Sequence, residues 1–251
     1  MNEVLKEILN TQTVVDSQNE IHKLHSNTGE LQGYFLQNIL KNIKPKATLE
    51  IGLAYGISSL FLLEVIKELD NENRSHIIFD PYPDVYWNNI GLLNISKAGY
   101  ENLVDFRKLF SDEGLIQLIN EKKRIQFAYI DSTKVFDILL VDFYLINKIL
   151  DIGGVIVFDD CGFPGIKKLV RLISKMPFYK IYATHYKELE TIKKSIVKKS
   201  ASFILQHIPF RDKILPNHDF KTDQQNGIDY HCIAFIKKGN DERSWDWNVD
   251  F

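Results

Sequence analysis

The chain has 251 residues, 45% of them hydrophobic and 25% charged, enough to bury a sizeable core in one α/β domain with additions. Its formal charge of −2, with Lys and Arg interspersed among Asp and Glu, provides no basic stripe to neutralise phosphates, which argues against nucleic acid as the main substrate. Cys161 and Cys232 form no CxxC pair, so neither a disulfide framework nor a cysteine-rich zinc site is indicated.

In chain order, Met1 to Asn10 mixes Glu and Lys with Val, Leu and Ile. It is not an apolar leader, and no run reaches bilayer-spanning length; a cytoplasmic location and no membrane partner are expected. Residues 1–45 read as a helical extension. Within it, Asn27 with Glu30 makes a capping-box-like start, followed by an apolar stripe of Leu31, Phe35, Ile39 and Ile43. Pro45 ends that helix. Strand-like runs then alternate with helical ones: Ala47 to Ile51, Ser75 to Asp80, Leu103 to Arg107, Ile125 to Asp131 and Val155 to Asp159, with helices such as Ser58 to Leu69 and Pro164 to Ser174 between them. Such alternation implies right-handed crossovers and a mostly parallel sheet covered on both faces. Runs at Tyr179 to Ala183 and Tyr230 to Lys237 bring the expected sheet to seven strands. Between the last two, about 184–229, lies an insertion long enough to act as a cap. The domain proper is then 46–251.

The most informative stretch runs from Thr48 through Glu50, Gly52, Gly56 and Ser58 to Ser59, a strand entering a glycine turn and then a helix. Gly52 and Gly56 let the backbone turn tightly and a ligand approach, while Ser58 and the free amides of the new helix offer donors. The spacing is not the G-x-G-x-x-G of dinucleotide sites, which argues against a nicotinamide enzyme. Asp80 ends the second run about thirty residues later, where a ribose-binding acid is expected, although Asp80-Pro81 also reads as a turn initiator. Asp131, Asp159 and Asp160 fall at the carboxyl ends of later strands, where ligands bind in open α/β sheets. Three converging carboxylates suit a hard divalent cation such as Mg²⁺; alternatively they cap helices and turns.

The Glu50-x-Gly52-x-x-x-Gly56 pattern resembles motif I of class I S-adenosylmethionine (SAM)-dependent methyltransferases. Together with Ile130 to Asp137, Leu140 to Phe143, Gly153 to Asp160, Asp80-Pro81 and Ile90 to Asn94, it is similar to the methyltransferase 24 family and, more distantly, to cation-dependent catechol and caffeoyl-CoA O-methyltransferases. The resemblance runs from about His25 to Leu172. It implies a Rossmann-like fold and a SAM site at Glu50, Gly52, Ala54, Tyr55, Gly56, Ser58, Asp80, Ser111 and Asp131. It further implies a divalent cation at Asp131, Asp159 and Asp160, with Asp131 and Lys134 as catalytic residues and Lys134 as the base. Nearer relatives commonly carry Ile-Asp-Gly-x-His where this chain has Ile-Asp-Ser-Thr-Lys, so no histidine base is available there. Lys134 suits that role only if its pKa falls toward neutrality; a surface lysine is the alternative. The expected reaction is methyl transfer to a hydroxyl of a small-molecule acceptor, a sugar or secondary metabolite, with a homodimer allowed for. A metal-independent N- or O-methyltransferase and a non-catalytic SAM-binding protein stay open. His25, near the expected site, and Trp245 and Trp247, as packing or contact residues, complete the candidates.

Overall fold

The computed structural model describes residues 1–69, 74–186 and 230–251; the expected cap falls almost wholly outside them. A seven-stranded sheet organises the molecule: β3 (Ala47–Ile51), β4 (Ser75–Phe79), β5 (Val104–Arg107), β6 (Ile125–Ile130), β7 (Leu150–Phe158), β8 (Tyr179–His185) and β9 (Cys232–Lys237). The spatial order is β5-β4-β3-β6-β7-β9-β8. The five strands from β5 across to β7 run parallel, whereas β9 pairs antiparallel with both β7 and β8. The expected mostly parallel α/β sheet is what forms.

Helices cover both faces, as a parallel sheet requires. On one side α6 (Ser111–Asn120), α7 (Phe136–Ile149) and α8 (Pro164–Lys175) pack over Leu49, Ile51, Ile77, Ala128, Ile156 and Phe235. On the other, α2 (Glu30–Ile43), α3 (Ile57–Glu68) and α5 (Ile90–Lys97) pack over Ile78, Phe127, Tyr129, Val155 and Val157. Nine residues of α3 are buried, because α2 lies over its outer side and leaves only the C-terminal end, Lys67 and Glu68, in solvent.

The first 45 residues are not all helical. After α1 (Glu3–Thr11), strands β1 (Thr13–Val15) and β2 (Ile21–Lys23) form a two-stranded antiparallel ribbon. Its turn is tied by Asp16, whose Oδ1 accepts from the amides of Gln18 and Glu20 at 2.9 Å each. The β-branched Thr13-Val14-Val15 run and this Asx-type turn outweigh helix propensity there. The α2 helix begins at Gly29, without a side-chain cap; Asn27 instead donates to the carbonyl of Thr28. The buried face of α2 carries Gln32, Leu36, Ile39 and Leu40, and Leu31, placed in the apolar stripe by periodicity, is 53% exposed. The short helix α4 (Pro83–Trp87) lies beyond β4. At the C-terminus Trp247 packs against the core while Trp245 is 97% exposed. Among the described residues no helix is long and apolar enough to cross a membrane.

Candidate functional site

Strand register builds the site. Ile51 pairs with Phe79 and with Ile130, and Ile130 pairs with Phe158, so the next residues, Gly52, Asp80, Asp131 and Asp159, form one row along the carboxyl edge. Backbone ladders continue into it, with Gly52 N donating to Phe79 O at 2.9 Å, Asp131 N to Ile51 O at 3.0 Å and Asp159 N to Ile130 O at 3.1 Å.

Gly52 has φ +98°, and a Cβ there would lie 2.2 Å from the carbonyl oxygen of Asp131, so only glycine lets the first crossover pass this close to β6. Gly56 opens α3 at φ +74° beneath the Gly91 backbone. Ala54, between them, also takes a left-handed φ of 47°.

Glu50 and the Ser58 hydroxyl are tied to each other inside the fold. Glu50 is fully buried and accepts from Ser58 Oγ, Ser59 Oγ and, at 2.9 Å, His76 Nε2. His76 Nδ1 meets Thr48 Oγ1 at 2.8 Å. The acid at the start of the motif therefore bolts β3 to β4 and to the first turn of α3. Asp80 is 6% exposed; Oδ2 accepts from the amides of Leu53 at 3.0 Å and Ala54 at 3.3 Å, and Oδ1 from that of Tyr82 at 2.9 Å. It is a turn initiator and a clamp on the glycine loop at once, with one of about four acceptor positions left over. Ser111 opens α6, and its hydroxyl faces Asp142 of α7. Asp142 is buried with no well-formed hydrogen bond on either oxygen; burial pushes its pKa up to about 6, against the pull of Ser111.

A cleft lies against the glycine turn, bordered by Gly52, Leu53, Ala54, Tyr55, Ile57, Ser58 and Asp131 and covered by Ser26, Asn27 and Thr28. Its volume is about 20 Å³, the scale of a single water. The covering segment is held by Tyr55, whose hydroxyl meets His25 Nε2 at 2.8 Å, and by a cluster of the His25, Tyr55 and Trp87 rings 4.9–5.5 Å apart.

The acidic row is arranged differently from the three-carboxylate cage that the motif implies. Lys134 Nζ sits 2.8 Å from Asp131 Oδ1 and 3.1 Å from Asp160 Oδ2. Asp159 turns away from them: Oδ2 accepts from Gln32 Nε2 at 2.7 Å and Tyr129 OH at 2.8 Å, and Oδ1 from the Asp160 amide at 2.7 Å and Cys232 Sγ at 3.0 Å. Asp159 and Asp160 cap no helix either, since the N-cap of α8 is Phe163 and that of α7 is Val135. These residues do not fit a hard cation held by all three carboxylates. An ammonium already bridges two of them, and the third is turned aside, its Oδ2 held by Gln32 and Tyr129 and its Oδ1 facing Cys232 and His231.

Electrostatics sorts the roles. Burial, then the negative charge of Asp159, pushes Asp131 up to about 7 even though Lys134 pulls the other way. Burial works to lower Lys134, but Asp131 and Asp160 outweigh it and the net shift is upward. Lys134 is thus held as an ammonium, the opposite of what a basic lysine needs. Burial works to raise Asp159, but Cys232, His231, Tyr129 and the Asp160 amide hold it below the usual carboxylate range. The spacing of motifs did not disclose Gln32, His76, Tyr129, His231 or Cys232, because their contacts span 26 to 127 residues.

Residues 49–161 match a family model described as a methyltransferase domain. The tapetum-specific methyltransferase 1 of Arabidopsis thaliana is 32% identical over 130 residues, 51% of this chain and 52% of that protein. A caffeoyl-CoA O-methyltransferase of Stellaria longipes is 28% identical over 139 residues, 53% of each chain. The match thus spans about half the length of these curated relatives. In overall fold the chain is similar to the O-methyltransferase from Bacillus cereus, a structure solved in complex with SAH, at a TM-score of 0.60 and 21% identity over 74% of this chain and 86% of that one. Residues 49–161 are therefore similar to a methyltransferase domain, and that stretch is set in a Rossmann-like sheet.

Proposed function

We propose that the chain binds SAM against the glycine turn and transfers its methyl group to a hydroxyl of a small molecule. The observation that carries this reading is the row formed by Gly52, Asp80 and Asp131: a turn closed to any side chain at Gly52, pinned by Asp80, and bordered by an acid left short of positive charge. Asp131, Asp159 and Asp160 are matched there by the single ammonium of Lys134, so a cationic ligand is favoured beside Asp131. The sulfonium of SAM carries such a charge. Ser26, Asn27 and Thr28 border the same cleft, so seating SAM in full would move this segment, which His25 ties to Tyr55, a gating step of the kind common at water-excluding sites.

In this reading Asp131 takes the acceptor proton, since a carboxylate near pH 7 is matched to that task, and Lys134 stays protonated and orients both Asp131 and the acceptor oxygen. The methyl carbon leaves sulfur as the oxygen arrives in line, and alignment is the main service the protein adds. The relatives named above support oxygen as the acceptor atom, and sugars and phenolic metabolites are the classes to try. A divalent cation held by Asp131 and Asp160 in place of the Lys134 ammonium, without Asp159, is the second reading, favoured by one observation: Asp131 stays pushed up to about 7 despite its contact with Lys134, so the cluster has charge to spare. Methyl-labelled SAM offered with a panel of sugar and phenolic acceptors, with and without EDTA, tests both. Label transfer above the Asp131→Ala background is expected, and its absence across the panel rejects catalysis of this class. Loss of transfer in EDTA alone would favour the cation.

A further inference from the structure

We infer that Asp159, His231 and Cys232 form a binding site for a borderline-soft transition cation, zinc being the expected one, at the junction of β7 and β9. It shares only Asp159 with the three-carboxylate set considered above, and its donors are of a different chemical kind.

The register of two antiparallel strands makes the site. Phe158 lies opposite Ile233, so the residues flanking that pair, Asp159 and Cys232, are cross-strand neighbours with side chains in reach of each other. Cys232 Sγ is 3.0 Å from Asp159 Oδ1, and His231 Nε2 is 3.4 Å from the same oxygen. All three ligand atoms lie within 4.8 Å of one another. Around a tetrahedral zinc, bonds of about 2.0–2.3 Å place neighbouring ligand atoms roughly 3.3–3.6 Å apart, so side-chain adjustments of a few tenths of an ångström to about one would seat the ion. One sulfur, one imidazole nitrogen and one carboxylate oxygen suit zinc and its transition-metal neighbours; Mg²⁺ prefers oxygen donors alone. Three protein donors leave a fourth position open.

The surroundings are those of a supported site. Gln32 and Tyr129 hold the far oxygen of Asp159, which fixes the direction of the near one. His231 Nδ1 is 3.9 Å from Asp160 Oδ1, too long for a hydrogen bond but on the side where a carboxylate orients a metal-bound imidazole. Cys232 and Asp159 are buried, and the His231 side chain, 18% exposed, gives the way in from solvent. The metal-free description, in which thiol and imidazole simply donate to Asp159, uses the same contacts, so the ion itself has to be measured.

The experiment uses the full chain without an affinity tag, purified free of chelator, with Zn²⁺ and Co²⁺ as probes and no SAM present. We expect about one Zn²⁺ per chain, and a thiolate-to-cobalt charge-transfer absorption when Co²⁺ replaces it. Excess Mg²⁺ should leave the band in place. Cys232→Ala should remove the band and weaken Zn²⁺ binding by roughly a hundredfold or more, since even outer residues of such sites contribute 10–100-fold. Cys161→Ala, at the other buried thiol, should leave the band intact. Should Cys232→Ala fail to fold, the partly exposed His231→Gln carries the same test through the loss of Zn²⁺ affinity. Absence of stoichiometric binding, or a band that survives in Cys232→Ala, would overturn the assignment.

Discussion

Two halves of the carboxyl edge treat their acids in opposite ways. On the β3–β4 side, Glu50 and Asp80 are buried, and every contact they make is with the protein's own donors: two serines and His76 for Glu50, three backbone amides for Asp80. On the β6–β7 side, Asp131 and Asp160 share one ammonium and Asp131 is pushed up to about 7. Fully satisfied buried acids hold a backbone in place, whereas a cluster left short of counter-charge is where an incoming cation gains most. The first half is held as scaffold, and the second is the half that the proposed function uses.

Glu50→Ala should produce the largest effect, because it strands three buried donors at once. The expected loss is about 3–5 kcal/mol of stability, read by urea or thermal unfolding, with SAM binding lost as the turn loosens. A loss under about 1 kcal/mol would show that Glu50 is no bolt. Asp131→Asn should act on the other half in the reverse sense. It should lower the rate by roughly 10²–10⁴ while leaving the protein folded. If Asp131 is the base, wild-type activity falls as pH drops below about 7. Stability follows the same group with a defined sign. Its folded pKa of about 7 lies above the ordinary 3.8, so the folded state holds the proton more tightly. That contribution is complete below about pH 4 and is lost as pH rises through 7, and Asp131→Asn should abolish this slope in a pH series of melting temperatures.

Asp142→Asn offers a smaller version outside both halves. With a folded pKa of about 6, its carboxylate weighs against the fold above that pH, so the amide should raise the melting temperature at pH 8 by a few degrees and change little at pH 4. The smallest effect belongs to the covering segment. His25→Phe removes the 2.8 Å contact with Tyr55 and keeps a ring against Trp87, so it should shift the KM for SAM by a few-fold and leave kcat near wild type. Equal changes in both would argue that His25 does more than hold the cover.

How much of this was legible in the sequence depends on range. The alternation of apolar strands and helices is a local signal, and the strands from Ala47 to Lys237 form close to where their patterns place them, except that β7 begins at Leu150 and not at Val155. The glycine turn was legible because both glycines take a left-handed φ, a local requirement, although the backbone that crowds Gly52 and Gly56 belongs to the distant Asp131 and Gly91. The partners of the acids were not. Motif resemblance puts Asp159 beside Asp131, but the antiparallel return of β9, some 70 residues later, brings Cys232 and His231 to it instead. No spacing rule encodes that strand order. The charge state of Lys134 was not legible from position, because its pKa is decided by two carboxylates, one of them on the next strand's loop. In the N-terminal extension the ribbon escaped a periodicity reading because its strands are only three residues each.

The central claim is that the bend after β3, beside Asp131, is a SAM site. Calorimetric titration of SAM into the folded wild type and into folded Gly52→Val tests it most directly, since a side chain at Gly52 would collide with the Asp131 backbone 2.2 Å away. Saturable binding by the wild type with affinity reduced roughly a hundredfold or more in the variant is the predicted result. No binding by the wild type, or equal binding by both proteins, would contradict it.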